Sequence, residues 1–401
     1  MKRLLAVLTT LISGTANAHS IPVEIGQPVI DAALAVTVRS AGAVDYDDYW
    51  RIPGVMMGGH AWPAEQGVAL EELTLSAGYR HDDNLFAVIS LARHGSHGDH
   101  AAPEIEHGWI GYVCCGDTGP LVIEAGRMSA AFTPSASEHS SQRLFVDANL
   151  AADAFLGRHF HDEGLRLWRH EPKGVSAGVE LWRGRAFPAT ADEDGGAVDL
   201  FASWHTGGEH VSLTIGGWAM FARAAQRQDH RYSDGHSHGS PGNPPPPDVR
   251  FSGDSLLHGL HGEGGWHTGQ QTTLRLRIEW MAVRADGTIS DATRQAELQG
   301  RYQGIVLQPE LQHRKHAIAV RAETLILENR LSGAAALPLA EDANLINNRD
   351  PWRFGVGWRW QWREPLAIRA EILRDASTPE ASTRVALGLV WKQTLTGRHR
   401  H

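Results

Sequence analysis

The chain has 401 residues, with 37 Lys or Arg against 46 Asp or Glu and a formal net charge of −9 when histidine is counted neutral. That balance argues against nucleic acid as a partner and suits a lumen or vestibule facing cations. No apolar run beyond the N-terminus reaches the roughly 18 residues a membrane helix needs, yet about 380 residues after a leader would overfill one ordinary soluble domain and suit a barrel of roughly 14 to 18 strands.

Residues 1–18 place Lys2 and Arg3 before a short apolar stretch and end in Ala16-Asn17-Ala18, the small-x-small signature of a secretory signal peptide, so the mature chain is expected to start at His19. After a lead-in over Ile21 to Pro28, Ile30 to Arg39 alternates apolar and polar residues as a first strand. Leu70 to Tyr79 and Leu85 to Ala92 form a hairpin around the turn signal H-D-D-N. A polar stretch then offers His94, His97, Asp99, His100, Glu104 and His107, whose spacing could chelate a metal on a loop or could be ordinary solvated surface.

Glu106 to Val113 and Leu121 to Arg127 pair around a turn holding the two cysteines, the adjacent Cys114 and Cys115. These are expected to close a vicinal disulfide, with soft-metal binding as the alternative. The segment Met128 to Gly164 does not alternate, and its length predicts a loop that folds inward and narrows a pore. Near its end, G-R-H-F-H-D-E-G sets His159 and His161 on one face of an extended chain beside Asp162 and Glu163, as metal ligands or as a hydrogen-bond network in the lumen.

Strands resume over Gly164 to Arg169, Gly174 to Trp182, Val198 to Trp204 and Val211 to Ala222. Next come D-H-R-Y-S-D-G-H-S-H-G-S-P-G-N-P-P-P-P and H-G-L-H-G-E-G-G-W-H. The stretch 229–267 reads as a metal-collecting loop of Asp229, His230, Asp234, His236, His238, Asp254, His258, His261, Glu263 and His267, because imidazoles and carboxylates suit Zn²⁺, or Cu²⁺, and the Gly, Ser and Pro oppose regular structure. No fixed structural-zinc spacing is present, so capture should be weak and exchange fast, as conduction requires.

Thr272 to Ala282 alternates Leu274, Leu276, Ile278 and Trp280 with Arg275, Arg277 and Glu279. Arg294 to Gly304 and His316 to Leu327 follow. Trp352 to Trp362 then sets Phe354, Val356, Trp358, Trp360 and Trp362 against Gly355, Gly357, Arg359, Gln361 and, just beyond, Arg363. Leu366 to Arg374 and Ser382 to Gln393 complete the series, with one or two further strands hidden near Val249 or Ile305.

Alternation alone fits a soluble sandwich as well as a membrane barrel. Its recurrence along the chain, the alternation of short turns with long polar loops, fourteen tryptophans and the leader select an all-β transmembrane antiparallel barrel of about sixteen strands with long extracellular loops. The charged faces then point inward, making Arg127, Arg275, Arg277, Glu279, Arg359 and Arg363 pore-lining candidates. Residues 19–401 form one such domain, with outer-membrane lipid as its partner. The absence of an H-E-x-x-H helix gives no support to an enzyme.

The run I-E-A-G-R-M-S-A-A-F-T-P-S-A-S-E-H-S-S, followed by A-F-L-G-R-H-F-H-D-E-G-L-R-L, resembles the strand-loop region of the phosphate-selective (O/P type) porins of the outer membrane. The resemblance implies a sixteen-stranded barrel assembled as a homotrimer. It does not carry phosphate selectivity across, because His and carboxylates crowd the loop-rich region here, although Arg127, Arg143 and Arg158 keep anion passage open. The expected function is a porin-like channel that gathers or passes divalent metal, chiefly zinc. Alternatives are a general or anion-selective porin with incidental histidines, and a surface metal-sequestering protein.

Overall fold

The structure is a computed structural model that describes residues 25–43, 49–95, 103–115, 119–169, 171, 173–190, 195–232 and 247–396. The leader 1–18 lies outside these residues, as do His97, Asp99, His100, Asp234, His236 and His238. Sixteen strands run in chain order: β1 (Val29–Arg39), β2 (Gly67–Arg80), β3 (Leu85–His94), β4 (Glu104–Cys114), β5 (Leu121–Ser129), β6 (His161–Arg169), β7 (Gly174–Trp182), β8 (Gly196–Gly207), β9 (Val211–Arg227), β10 (Arg250–Gly269), β11 (Thr272–Ser290), β12 (Gln295–His313), β13 (His316–Ser332), β14 (Trp352–Arg363), β15 (Leu366–Ala376) and β16 (Ser382–Thr396). Each pairs antiparallel with its neighbour, and β1 pairs with β16, closing the barrel without an edge.

The two-residue period decides which way each side chain points. Along β12 exposed and buried residues alternate strictly from Gln295 to Val306. Leu73, Leu165, Leu200, Ile278, Phe354 and Leu387 are among the large apolar residues on the outer surface. An exposed apolar belt of this extent is costly in water and is what a bilayer requires. Turns at one end span only a few residues, 270–271, 314–315 and 364–365 among them, whereas the other end carries the connections 40–66, 228–249 and 333–351. Short turns mark the periplasmic end of such barrels and long loops the extracellular one.

Trp204, Trp266 and Trp362 stand exposed near the short-turn end, where an interfacial girdle belongs. Trp50, Trp109, Trp168, Trp182 and Trp218 are instead buried inside. The interior of this barrel is therefore not uniformly polar. Two connections fold into it: residues 49–66, through Trp50, Ile52, Val55 and Met57, and residues 130–160, which carry the short helices α1 (Pro134–Ser137) and α2 (Leu150–Phe155). They pack with the inward aromatic side chains of β3, β4 and β6 to β9 into one apolar cluster. A third helix, α3 (Ala336–Asp342), covers a smaller cluster at the extracellular end.

The strand hidden in the sequence is β10, and its position corrects the expected loop 229–267. Only 228–249 is a connection, and His258, His261, Glu263 and His267 stand on β10. Leu256, Leu260 and Trp266 face outward at even positions, so the alternation is present but is thinned by glycine. The glycines have a packing reason: a Cβ at Gly259 would lie 2.7 Å from the Trp218 indole nitrogen and the Trp280 carbonyl oxygen.

Candidate functional site

The inward loop 130–160 determines what passage the barrel offers. A buried loop must satisfy its backbone groups, and the wall supplies the partners. Wall carboxylates accept from the loop: Glu180 from the Ala131 amide at 3.2 Å, Glu279 from the Thr133 and Ser135 hydroxyls, and Glu72 from the Ser141 amide at 2.7 Å. Glu371 accepts from the Val146 amide and Glu323 from the Leu150 amide, both at 2.7 Å. Wall arginines donate to loop carbonyls, Arg369 to Ser140 at 2.7 Å and Arg321 to Asp147 at 2.9 Å. Where the two inward loops cross, Gly157 has φ +61° and its carbonyl accepts from the His60 amide at 2.8 Å. A Cβ there would sit 2.9 Å from Gly59 Cα.

Asp147 is the loop's charged anchor, 2.6 Å from Arg384 and 3.3 Å from Arg39. Burial would raise its pKa, but Arg384 and then Arg39 outweigh burial and hold it well below the usual carboxylate range. A depressed folded pKa gives stability that is fully present above the unfolded value of about 3.9 and is lost only as pH falls through the folded value. This anchor should therefore hold from pH 8 to pH 5. Conductance measured across that interval should show no acid-triggered opening that Asp147→Asn abolishes, and an opening of that kind would contradict the assignment.

Two compartments with charged linings border the loop. The inner one, about 1170 Å³, opens toward the short-turn end. Arg275, Arg277, Glu279, Arg359 and Arg363 all line it, together with Glu263 and Glu310. Nine Arg or Lys side chains border this space against five Glu, the others being Arg143, Arg314, Lys315, Arg321, Lys392, Glu138 and Glu364. Arg277 lies 3.0 Å from Glu138 and Arg275 lies 3.3 Å from Glu310, which leaves a cationic surplus. The outer compartment, about 290 Å³, is bordered by Glu65, Glu71, Glu104 and Asp147 as well as Arg39, Arg143 and Arg158. Arg143 is the one residue common to both linings.

Arg127 stands elsewhere. It is half-buried on β5, paired in register with Gly108 and Glu163, and borders neither compartment. Glu163 is exposed and bridges to Arg183.

The histidines expected to gather metal around 229–267 do not converge. His258 and His261 are three apart on one strand and so face opposite sides of the wall. His258 packs edge-on against Trp280 at 5.3 Å, and the buried Nδ1 of His261 faces inward without a hydrogen-bond partner. Glu263 lies 3.7 Å from Arg277, and His267 Nδ1 is 3.0 Å from the Thr273 hydroxyl. Asp229 is held by Arg231 through two contacts of 2.6 and 2.7 Å, with His230 beside it in a single 3-10 turn. Asp162 accepts from the amides of Gly184 and Arg185 at 2.8 and 2.9 Å, which fixes the start of the β7–β8 connection rather than a metal.

A different cluster does form, at the extracellular end of β3 and β4. His94 Nε2 is 3.0 Å from Glu106 Oε1, and His139 of the inward loop is 3.8 Å from the same oxygen. The His159 ring lies 5.9 Å from that of His94 and 5.8 Å from that of His139. Burial, with Arg143 and His139 next in effect, pushes the His159 pKa well below its usual value. His107 is buried, 2.7 Å from the Ser129 hydroxyl, and His161 packs 4.9 Å from His60. Sequence reasoning singled out His94, His107, His159 and His161 but missed Glu106 and His139. Glu106 and His139 stand at either end of a 33-residue separation that only the inward fold of the loop closes.

Two further motifs resolve simply. The thiols of Cys114 and Cys115 lie 2.9 Å apart at the β4–β5 turn, unbridged. Gly174-Val-Ser-Ala-Gly178 spells G-x-S-x-G, a nucleophile motif when it turns a strand into a helix. Here it lies within β7, and Ser176 is buried and bonded to the Glu171 backbone, so this serine does not sit on a nucleophile elbow; the second such motif, at 235–239, lies outside the described residues.

No protein-family model and no characterised relative matches the sequence. Solved structures do match. OprB of Pseudomonas putida aligns at 10% identity and TM-score 0.54 over 92% of this chain and 94% of its own. DcaP, an outer membrane channel of Acinetobacter baumannii, aligns at 10% and 0.52 over 93% and 100%. The trimer form of OmpT, an outer membrane protein of Vibrio cholerae, aligns at 10% and 0.50 over 92% and 100%. At this identity the likeness is one of fold, and it does not single out the phosphate-selective family. The closed sixteen-stranded antiparallel barrel, its outward apolar belt and its inward loop give this chain the fold that these bacterial outer-membrane proteins share.

Proposed function

We propose that the protein is a passive channel for small hydrophilic solutes, with anions favoured in the inner compartment. The observation that carries this reading is the cationic surplus of that lining, set in a space bounded by low-dielectric wall. By charge alone it suits small oxyanions such as inorganic phosphate. Assembly as a trimer belongs to the same proposal. The double variant R359E/R363E should move the K⁺/Cl⁻ reversal potential toward cations. An unchanged potential in a folded barrel would remove the inner compartment from the conduction path.

A second reading, the handling of divalent metal, chiefly zinc, no longer draws support from His258, His261 and His267, which are spread over a strand. What favours it is the convergence of His94, Glu106 and His139, of which His94 borders the outer compartment.

A further inference from the structure

The geometry points to a divalent transition-metal site of the zinc class in which His94, Glu106, His139 and His159 are the donors and the bound ion staples the inward loop to the barrel wall. The inference deepens the metal reading above, and only its consequence for conduction rests on the channel reading.

His94 closes β3, and Glu106, near the start of β4, reaches it with its carboxylate at 3.0 Å. The register shifts there: Ser90 pairs with His107 and Leu91 with Ile105, leaving Glu106 as the extra residue of a bulge. Bulges re-aim a side chain, and both Glu106 and His107 are buried as a result. Glu106 is 2% exposed and its Oε2 has no hydrogen-bond partner. His139 Nδ1 and His159 Nδ1 are likewise buried without partners. Unpaired polar atoms in such numbers at one buried spot call for a ligand that accepts lone pairs, and a metal ion does so.

The spacing fits. One ligand atom from each of His94, Glu106 and His139 lies within 4.8 Å of the others, and the three rings of His94, His139 and His159 are 5.6, 5.8 and 5.9 Å apart between centroids. A tetrahedral zinc with bonds of about 2.0–2.1 Å holds its donor atoms about 3.3 Å apart and its imidazole centroids about 5 Å apart. His159 lies outside that 4.8 Å set, so it would join the shell only by turning its ring toward the other three. Three imidazoles and one carboxylate complete a four-coordinate shell, the arrangement of a holding site rather than a catalytic one with an open position. Cu²⁺ would compete for the same nitrogens.

The placement gives the consequence. Two donors belong to the wall hairpin and two to the inward loop, near its middle and its end. Their approach is the outer compartment, which His94 and His159 both border. Metal loading would fasten the loop against β3 and β4 beside Arg143.

The test is a Co²⁺ titration of the refolded barrel in detergent, read by visible absorption, with Zn²⁺ then added as competitor. The expected result is one equivalent of tetrahedral Co²⁺ bands, displaced by Zn²⁺. Binding should be at least roughly tenfold weaker in His139→Ala and Glu106→Gln and unchanged in His258→Ala. Folding of each variant is checked by its heat-dependent gel mobility; if His139→Ala does not fold, Glu106→Gln and His159→Gln decide. Absence of tetrahedral bands, or equal binding by wild type and both ligand variants, overturns the site. Because this readout needs no conduction, binding without channels would sink the channel reading alone, and channels without binding would sink the site alone.

Discussion

Arg166→Met is expected to cost about 3–5 kcal/mol of barrel stability, the range for stripping one partner from a buried ionic group. Arg166, Glu124 and Glu180 have fully buried side chains, the guanidinium lies 2.7 Å from Glu124, and it also bonds Glu180. Methionine fills similar volume and leaves the buried Glu124 and Glu180 carboxylates without their cation, next to the buried Asp199 that Trp182 holds. The damage should spread to the inward loop, because Arg166 also donates to the Ser129 carbonyl and Glu180 holds the Ala131 amide, at the point where the loop leaves β5. Urea unfolding followed by tryptophan fluorescence measures the loss. The triple variant that adds Glu124→Gln and Glu180→Gln should recover part of it by removing the stranded charges. A wild-type midpoint for Arg166→Met would show that the triad contributes little.

Arg143→Ala is expected to raise single-channel conductance several-fold and weaken anion preference in the same recordings. Its side chain borders both compartments, so its removal widens the junction while deleting the cation nearest to both. Burial lowers the pKa of this guanidinium, with Glu138 opposing, yet arginine stays charged. The conservative Arg143→Lys separates the two effects: it should keep the anion preference and change conductance less. If Arg143→Ala conducts as wild type does, the passage runs elsewhere.

Much of this architecture is legible in the sequence because lipid exposure imposes a strict period. Residues such as Leu274, Leu276 and Ile278 must face one way and Arg275, Arg277 and Glu279 the other. The ends of β9 to β12 were not legible, since these strands run beyond the bilayer and their outward residues turn polar. Arg223 lies 2.9 Å from Asp254, and Arg284 lies 2.6 Å from Asp286, on the outer face of strand that apolar alternation would end near Ala222 and Ala282. β10 was masked by Gly and His, whose small or polar character reads as loop although Gly259 is there to admit Trp218. The inward loop could be foreseen from length and the loss of alternation. Its partners could not, because Glu72, Glu279, Glu323 and Glu371 look like any lumen charge until the loop is laid against them. The same holds for Glu106 and His139, which meet only through that fold.

Single-channel recording of the refolded wild-type protein in a planar bilayer under a KCl gradient tests the central claim most directly. Discrete conductance steps with a reversal potential on the anion side are the expected result. A barrel that shows the heat-dependent mobility of a folded outer-membrane protein and yet gives no steps, or gives cation-selective ones, would contradict a passage through the cationic compartment past Arg143.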